Sequence, residues 1–356
     1  MGDISANLMR LRKIARLNQE ELADRANITR LAYANIEKGK SIPRSDTLVA
    51  LAKALDARVS DLVRPVPNLS SLRYRTNTSL SAREKARKDQ EIAFLADWLS
   101  SYRQLEECLG DMVPYGLVDV PRTDPDSAAN SIRIALGIPA DNPVLDLPES
   151  LAAVGVKLYF FQADVPGLSG ASLGPIDDGP CVAINRYGMT VERQIFTGAH
   201  ELGHLALCHA DSGDDHEGQE ADADRFAAAF LMPDVAFSRQ WEESKGAWWV
   251  DRVLSVKRYF KVSYQTVLWR LVERDLADKE VYVSFARQYS DRYHHDLRGH
   301  YEPNGLAPLD FVEERFPRLV RTALEREEIT LSRAAEMLRL PLNDMRSLYL
   351  SWKQEP

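Results

Sequence analysis

Cysteine is scarce in this chain. Cys108, Cys181 and Cys208 are the three in 356 residues, an odd number without metal-ligand spacing, which excludes a disulfide framework and suits a reducing compartment. Hydrophobic runs of membrane-spanning length are also missing. The first residues mix Asp3, Arg10, Arg12 and Lys13 into a helical pattern with no apolar signal region, so a cytoplasmic protein without a membrane anchor is expected. Nor is there an overall excess of positive charge. Lys and Arg number 45 against 53 Asp and Glu, a net charge of -8, which excludes a chain that coats nucleic acid along its whole length. The deficit is uneven, however, because Met1 to Val66 carries twelve Lys and Arg against eight Asp and Glu, and an acidic remainder follows. That asymmetry allows a DNA-facing N-terminal module on an otherwise acidic chain. What is plentiful is ordinary: 45% hydrophobic and 28% charged residues suit a soluble chain of about two or three domains.

Against this background one stretch stands out, Phe196-Thr197-Gly198-Ala199-His200-Glu201-Leu202-Gly203-His204-Leu205-Ala206-Leu207-Cys208-His209. A helix here sets His200 and His204 one turn apart on one face, where two neutral imidazoles can hold one cation. Glu201 then stands beside that cation, able to take a proton from an attacking water. The flanking Ile195, Phe196, Ala199, Leu202 and Leu205 supply a buried face. Two histidines and a glutamate within five residues make a poor hydrophobic stripe, but they are what a buried ligand pair needs.

A third ligand is found in Glu220-Ala221-Asp222-Ala223-Asp224-Arg225-Phe226-Ala227-Ala228-Ala229-Phe230-Leu231-Met232-Pro233, an Ala-rich helical stretch ended by Pro233. Glu220 and Asp224 share a face, so the first can ligate while the second accepts a ring N–H from a ligating histidine. A metzincin pattern fails, because the positions it needs for Gly and His are Leu207 and Ala210. Asp211, Asp214, Asp215, His216 and Glu217 are rival ligands within a run that reads better as a loop, and Cys208 is a further rival that otherwise packs as a small apolar side chain.

With these residues in place, the chain resembles the ImmA/IrrE family of metallopeptidases. The resemblance runs from about Asp126 to Leu276 and includes Val182-Ala183-Ile184-Asn185, the stretch Arg193 to His204, and the Glu-rich helix ending in Met232-Pro233. It implies His200, His204 and Glu220 as metal ligands, Glu201 as general base, zinc as the cofactor with manganese as the alternative, and a partner repressor as the protein cleaved in a stress or mobile-element response. Such helices often carry Glu-x-Glu-Ala where this one reads Glu220-Ala221-Asp222-Ala223, which makes Asp222 the fallback ligand.

Near the N-terminus, Ile4, Leu8, Leu11, Ile14 and Ala15 recur at helical spacing, Asn18 and Glu21 form a capping pair, and Ser45 offers a cap before Leu48, Leu51, Ala52 and Leu55. Together with Asn18-Gln19-Glu20-Glu21-Leu22-Ala23, Ile28-Thr29-Arg30, Ile36-Glu37-Lys38-Gly39-Lys40, Pro43 and Ala54 to Leu62, they make this segment similar to the Cro/phage-repressor, or XRE-like, helix-turn-helix domain. That similarity implies a duplex DNA partner, with Thr29 to Lys38 as the major-groove helix, Arg30 reading bases, and Gln19, Thr29, Asn35, Lys38 and Lys40 as further contacts. Leu31 and Ala32 can touch a thymine methyl but form no bidentate hydrogen bond.

The remaining chain is read more coarsely. Pro65, Pro67, Asn68, Ser70 and Ser71 end the first domain, and Arg73, Arg75, Arg83, Lys85, Arg87 and Lys88 form a basic linker. A long helix from Ala82 to about Leu109 spaces the domains and is a candidate homodimer surface. Val156 to Phe161, Gly170 to Leu173 and Cys181 to Asn185 are β-rich runs expected to form a small antiparallel sheet, whose edge can take a peptide as an added strand. Ser263 should cap a later helix. His294, His295 and His300 read as a surface loop, and Thr330 to Leu338 looks loosely like a second helix-turn-helix or a docking bundle. The expectation is an α+β multidomain chain: an all-α helix-turn-helix domain at 1–66, a linker and connecting helix at 67–124, a zincin-like metallopeptidase domain at 125–276, and a helical region at 277–356. The competing expectation is a transcription factor or antitoxin whose peptidase-like domain senses a ligand or metal without cutting.

Overall fold

Side-chain caps set the ends of several N-terminal helices in the computed structural model, which describes residues 2–63, 69, 72–74, 80–117, 124–175, 179–207, 216–297, 299 and 301–353. Five short helices come first: α1 (Gly2–Ile14), α2 (Gln19–Arg25), α3 (Arg30–Glu37), α4 (Ser45–Ala54) and α5 (Val59–Val63). Asn18 caps α2 and receives the reciprocal bond from Glu21, while the hydroxyl of Thr29 accepts from Ala32 at the start of α3. Ser45, expected as a cap, is instead the first helical residue of α4, which lacks a side-chain cap. Leu8, Leu22, Tyr33, Ile36, Leu51 and Leu62 fill a core of their own. Buried beside it is the carboxylate of Glu37, which accepts from Arg12 at 2.8 Å, from Tyr33 Oη at 3.0 Å and from the amide of Gln19. Burial alone pushes Glu37 up, but Arg12 and Gln19 together hold its carboxyl below the usual range.

A two-residue strand, β1 (Arg73–Tyr74), precedes α6 (Ala82–Leu109), which Ser81 and Glu84 cap reciprocally and Gly110 ends in the left-handed conformation. Then follow α7 (Pro125–Ala135), α8 (Leu147–Ala153), β2 (Lys157–Phe161), β3 (Gly170–Leu173) and β4 (Cys181–Asn185). The second half is helical: α9 (Val191–Leu207), α10 (His216–Leu231), α11 (Asp234–Glu243), α12 (Trp249–Phe260), α13 (Tyr264–Glu273), α14 (Val281–Tyr293), α15 (Arg315–Glu325), α16 (Leu331–Leu338) and α17 (Leu342–Trp352). Ser263 caps α13, as its position predicts.

The strands form one sheet in the order β1-β3-β4-β2. It is mixed, which corrects the antiparallel sheet expected from the sequence: β3 pairs antiparallel with both β1 and β4, but β2 runs parallel to β4. The reason is topological. After β2 the chain skips one place before laying down β3, and β4 returns into the gap, so strands that are consecutive in the chain are not all neighbours. The basic linker also contributes a strand, which its composition did not suggest.

Strand alternation divides the sheet between two cores. Leu158, Val182 and Ile184 face the core built with α7 to α14, whereas Tyr159, Phe161, Leu173, Cys181 and Ala183 face a second core built with α6, α15 and α16. The sheet is therefore covered on both sides, and its strands read as runs of apolar residues. Between sheet and helices in the second core, Glu106 is buried with Lys157 at 3.1 Å and Arg315 at 2.7 Å, and Arg315 also donates to Tyr102 Oη at 3.1 Å. A buried charge needs such partners, and here they join α6, β2 and α15.

Helix α1 docks on α6 through Arg10 and Asp97 at 2.5 Å, while Arg30 and Leu31 on α3 stay exposed. The segment resembling a second helix-turn-helix uses α16 for docking, since Arg333 donates to Ser101 and Gln104 of α6. Among the described residues no helix is long and apolar enough to cross a membrane. Pro65, Val66, Pro67, Asn68, Ser70, Ser71, Arg75, Cys208, Asp211, Asp214, Asp215 and His300 lie outside the described residues.

Candidate metal centre

Two helices and one strand make the site. Helix α9 carries His200, Glu201 and His204, and α10 carries Glu220 and Asp224. The helices can approach closely because Gly203 faces Phe226: a Cβ at 203 would lie 2.9 Å from Phe226 Cδ1. Lys257 fixes the start of α9 from below, donating to Glu192 at 2.9 Å and to the carbonyl of Pro303 at 2.8 Å, all buried. Gly203→Ala tests the close approach. Alanine gains up to about 1 kcal/mol of helix propensity over glycine, but overpacking against a fully buried ring costs about 1–3 kcal/mol. Since Phe226 is fully buried, the second effect should win, and denaturant unfolding should show a net loss of stability. An unchanged midpoint would mean that α9 and α10 part without cost.

The side-chain donor atoms converge. His200 Nε2 and His204 Nε2 are 3.1 Å apart, His200 Nε2 lies 3.4 Å from Glu220 Oε2, and His204 Nε2 lies 3.4 Å from Glu220 Oε1. The donor atoms of these three residues all lie within 4.8 Å of one another, the one such group among the described residues that could hold a metal ion. On the far side of the His200 ring, Nδ1 is 2.8 Å from Asp224 Oδ1. A proton on Nδ1 shared with Asp224 leaves the Nε2 lone pair facing the cluster, the tautomer a ligand needs. Burial opposes a charge on His200, yet Asp224 and Glu220 raise its pKa to about 10, while the two histidines hold Glu220 far below the usual carboxylate range. A site this rich in negative charge around imidazole nitrogens draws either protons or a cation.

Glu201 is buried directly under β3, and a Cβ at Gly170 would sit 2.7 Å from its Oε1. Burial pushes the Glu201 carboxyl up, with His200 and His204 pulling it down, as suits a group that must accept a proton and then give it away. The sequence places Gly170 and Ser172 in a strand but does not show their position over Glu201. The signal was a glycine within a strand, which marks close approach by another group.

Asp222, the fallback ligand, is exposed and lies outside the cluster, as does Glu217. In the N-terminal domain Thr29, Arg30, Lys38 and Lys40 are exposed and Asn35 is half-buried. Gln19 is half-buried and donates its amide to Glu37, so it braces α3. Around His294 and His295 the described residues form no metal-ligand group, and the His295 ring packs 4.1 Å from that of Tyr301.

Residues 152–272 match the family model of the IrrE N-terminal-like domain, the peptidase M78 family, a span that contains His200, Glu201, His204, Glu220 and Asp224. Residues 8–62 match the helix-turn-helix family model. Both resemblances drawn from the residues are thereby borne out, the first over a shorter span than Asp126 to Leu276. No curated protein matches the chain.

Proposed function

We propose that this chain, a helix-turn-helix domain joined to an IrrE N-terminal-like peptidase domain, is a cytoplasmic DNA-binding regulator that is also a zinc-dependent endopeptidase and cuts a partner repressor in a stress or mobile-element response. The observation that carries the enzymatic part is the convergence of His200, His204 and Glu220 beside a buried Glu201. Two imidazole nitrogens and one carboxylate, with no fourth protein ligand among the described residues, form the donor set of a catalytic zinc site, since structural zinc takes four. Manganese is the alternative ion. Zinc held by these three residues would polarise the scissile carbonyl and acidify the attacking water. The protein's own groups do the rest. Glu201 takes the proton from water and passes it to the leaving amine, Asp224 keeps His200 in its ligating tautomer, and backbone groups of β3 align an extended peptide beside Glu201. An acidic chain with so short a strand edge suits one extended regulatory loop better than general digestion. The test is incubation of the zinc-loaded chain with repressors encoded nearby and with casein, fragments being identified by mass spectrometry. Cleavage of a single repressor is expected. If no protein is cut under any metal or stress condition while DNA binding persists, the sensing transcription factor replaces this reading.

For DNA, α3 is the reading helix, with Arg30 at base edges and Lys38 and Lys40 at phosphates, while the docking of α1 on α6 leaves Arg30 exposed. Binding should weaken by roughly 10³-fold between 50 and 200 mM salt if about six phosphates are contacted. Arg30→Ala should reduce the preference for the operator by about 1–3 kcal/mol and barely change affinity for random duplex. Titrations against both duplexes measure this, and no duplex binding at low salt would turn the domain into a docking module.

A further inference from the structure

The strand edge that a substrate peptide would use is already taken. Arg73 and Tyr74 pair antiparallel with Ser172 and Ala171 of β3, the strand that crosses over Glu201. The Arg73 guanidinium donates to Gln219 Oε1 at 2.6 Å, one residue before Glu220. The pair thus lies between the strand that covers the general base and the helix that carries the third ligand. It belongs to the linker joining the helix-turn-helix domain to α6.

We propose that this linker strand is a resident pseudosubstrate, lying where a substrate strand would lie and leaving before another chain can be cut. The consequence for catalysis rests on the peptidase reading above; the occupancy of the edge does not. The chemistry of the competing partner follows from the contacts of the occupant. It is an extended peptide that takes up the backbone pairing of Ser172 and Ala171 and presents an arginine or lysine to Gln219, next to Glu217 and Glu220. A two-residue strand is weak by itself. What lets it compete is attachment, because a segment of the same chain acts at an effective concentration on the order of millimolar. A partner peptide of modest affinity is then excluded until the linker strand is pulled away or outcompeted.

The probe is a fluorescent peptide with the sequence of residues 69–76, added to the full chain carrying Glu201→Gln so that nothing is hydrolysed. Binding is followed by anisotropy, with zinc present. Arg73→Pro and Tyr74→Pro are introduced together, since proline cannot donate to the ladder whichever of the two residues faces β3. The double variant should bind the peptide about tenfold tighter or more, as expected when a competing closed state is removed. Arg73→Ala in the protein, which keeps the backbone pairing, should give a smaller gain, and the same change in the peptide should weaken its binding. Circular dichroism and metal content verify that the variants are folded. Equal affinity in the parent and the folded double variant overturns the proposal. The peptidase reading is separately exposed. With Glu201 restored, tighter peptide binding without cleavage of any protein leaves the pseudosubstrate standing and the peptidase fallen, whereas equal cleavage rates with and without the prolines do the reverse.

Discussion

Glu201→Gln is expected to keep the bound metal and lose the cleavage of a partner repressor by a factor of about 10²–10⁴, the usual contribution of a positioned general base. Glutamine has nearly the shape of glutamate, so the space beneath Gly170, where Glu201 Oε1 lies so close to β3 that no Cβ fits, remains filled. Glu201 is not one of the proposed ligands, which are His200, His204 and Glu220, on the adjoining faces of α9 and α10. The substitution therefore removes proton transfer without removing the site. Its stability effect should also be small and favourable, because burial raises the Glu201 carboxyl and a neutral amide avoids the cost of a buried charge. Matched metal analysis, unfolding midpoints and single-turnover cleavage of one repressor check all three points. If Glu201→Gln cleaves at the wild-type rate, the base is another group and the assignment fails. If metal is lost with activity, the experiment has instead exposed Glu201 as part of the metal site.

The parts of this molecule that a reader of the sequence could see are those governed by local periodicity. His200 and His204 lie about one helical turn apart, so their common face follows from helix geometry alone, with Glu201 beside it. Glu220 and Asp224 were legible for the same reason, and both face the histidines. Caps at Asn18 and Ser263 were readable because a cap is decided within three residues. What escaped depends on contacts between distant segments. The strand at Arg73 and Tyr74 has no β signal of its own and exists because β3 offers an unpaired edge. The hydrogen bond from the Gln19 amide to Glu37, which is buried between Arg12 and Tyr33, likewise joins segments that are distant in the chain. The parallel pairing of β2 with β4 could not be read from three short apolar runs, which would look the same in a meander.

His200→Ala or His204→Ala should reduce bound metal from about one ion per chain to near none, since a three-ligand site that loses one imidazole keeps too few donors to compete with water. The structure ranks the other acids. Glu220→Ala leaves the two Nε2 atoms 3.1 Å apart with no carboxylate bridging them and should weaken binding strongly. Asp222→Ala removes an exposed side chain outside the cluster and should change little. Asp224→Ala is intermediate, because it removes the partner of His200 Nδ1 at 2.8 Å but no ligand, and changes of that kind cost about 10–100-fold in affinity. Stability supplies a second readout, since a ligand present at about 1,000 times its Kd adds about 4 kcal/mol to the folded state. Zinc should therefore raise the unfolding midpoint of wild type and Asp222→Ala by similar amounts, raise that of Asp224→Ala less, and leave His200→Ala and His204→Ala unmoved. Metal analysis after gentle purification, beside melting curves with and without added zinc, measures both. Should both histidine variants retain one ion per chain and the full zinc-dependent shift, the metal lies elsewhere, and the catalytic reading of α9 falls with it.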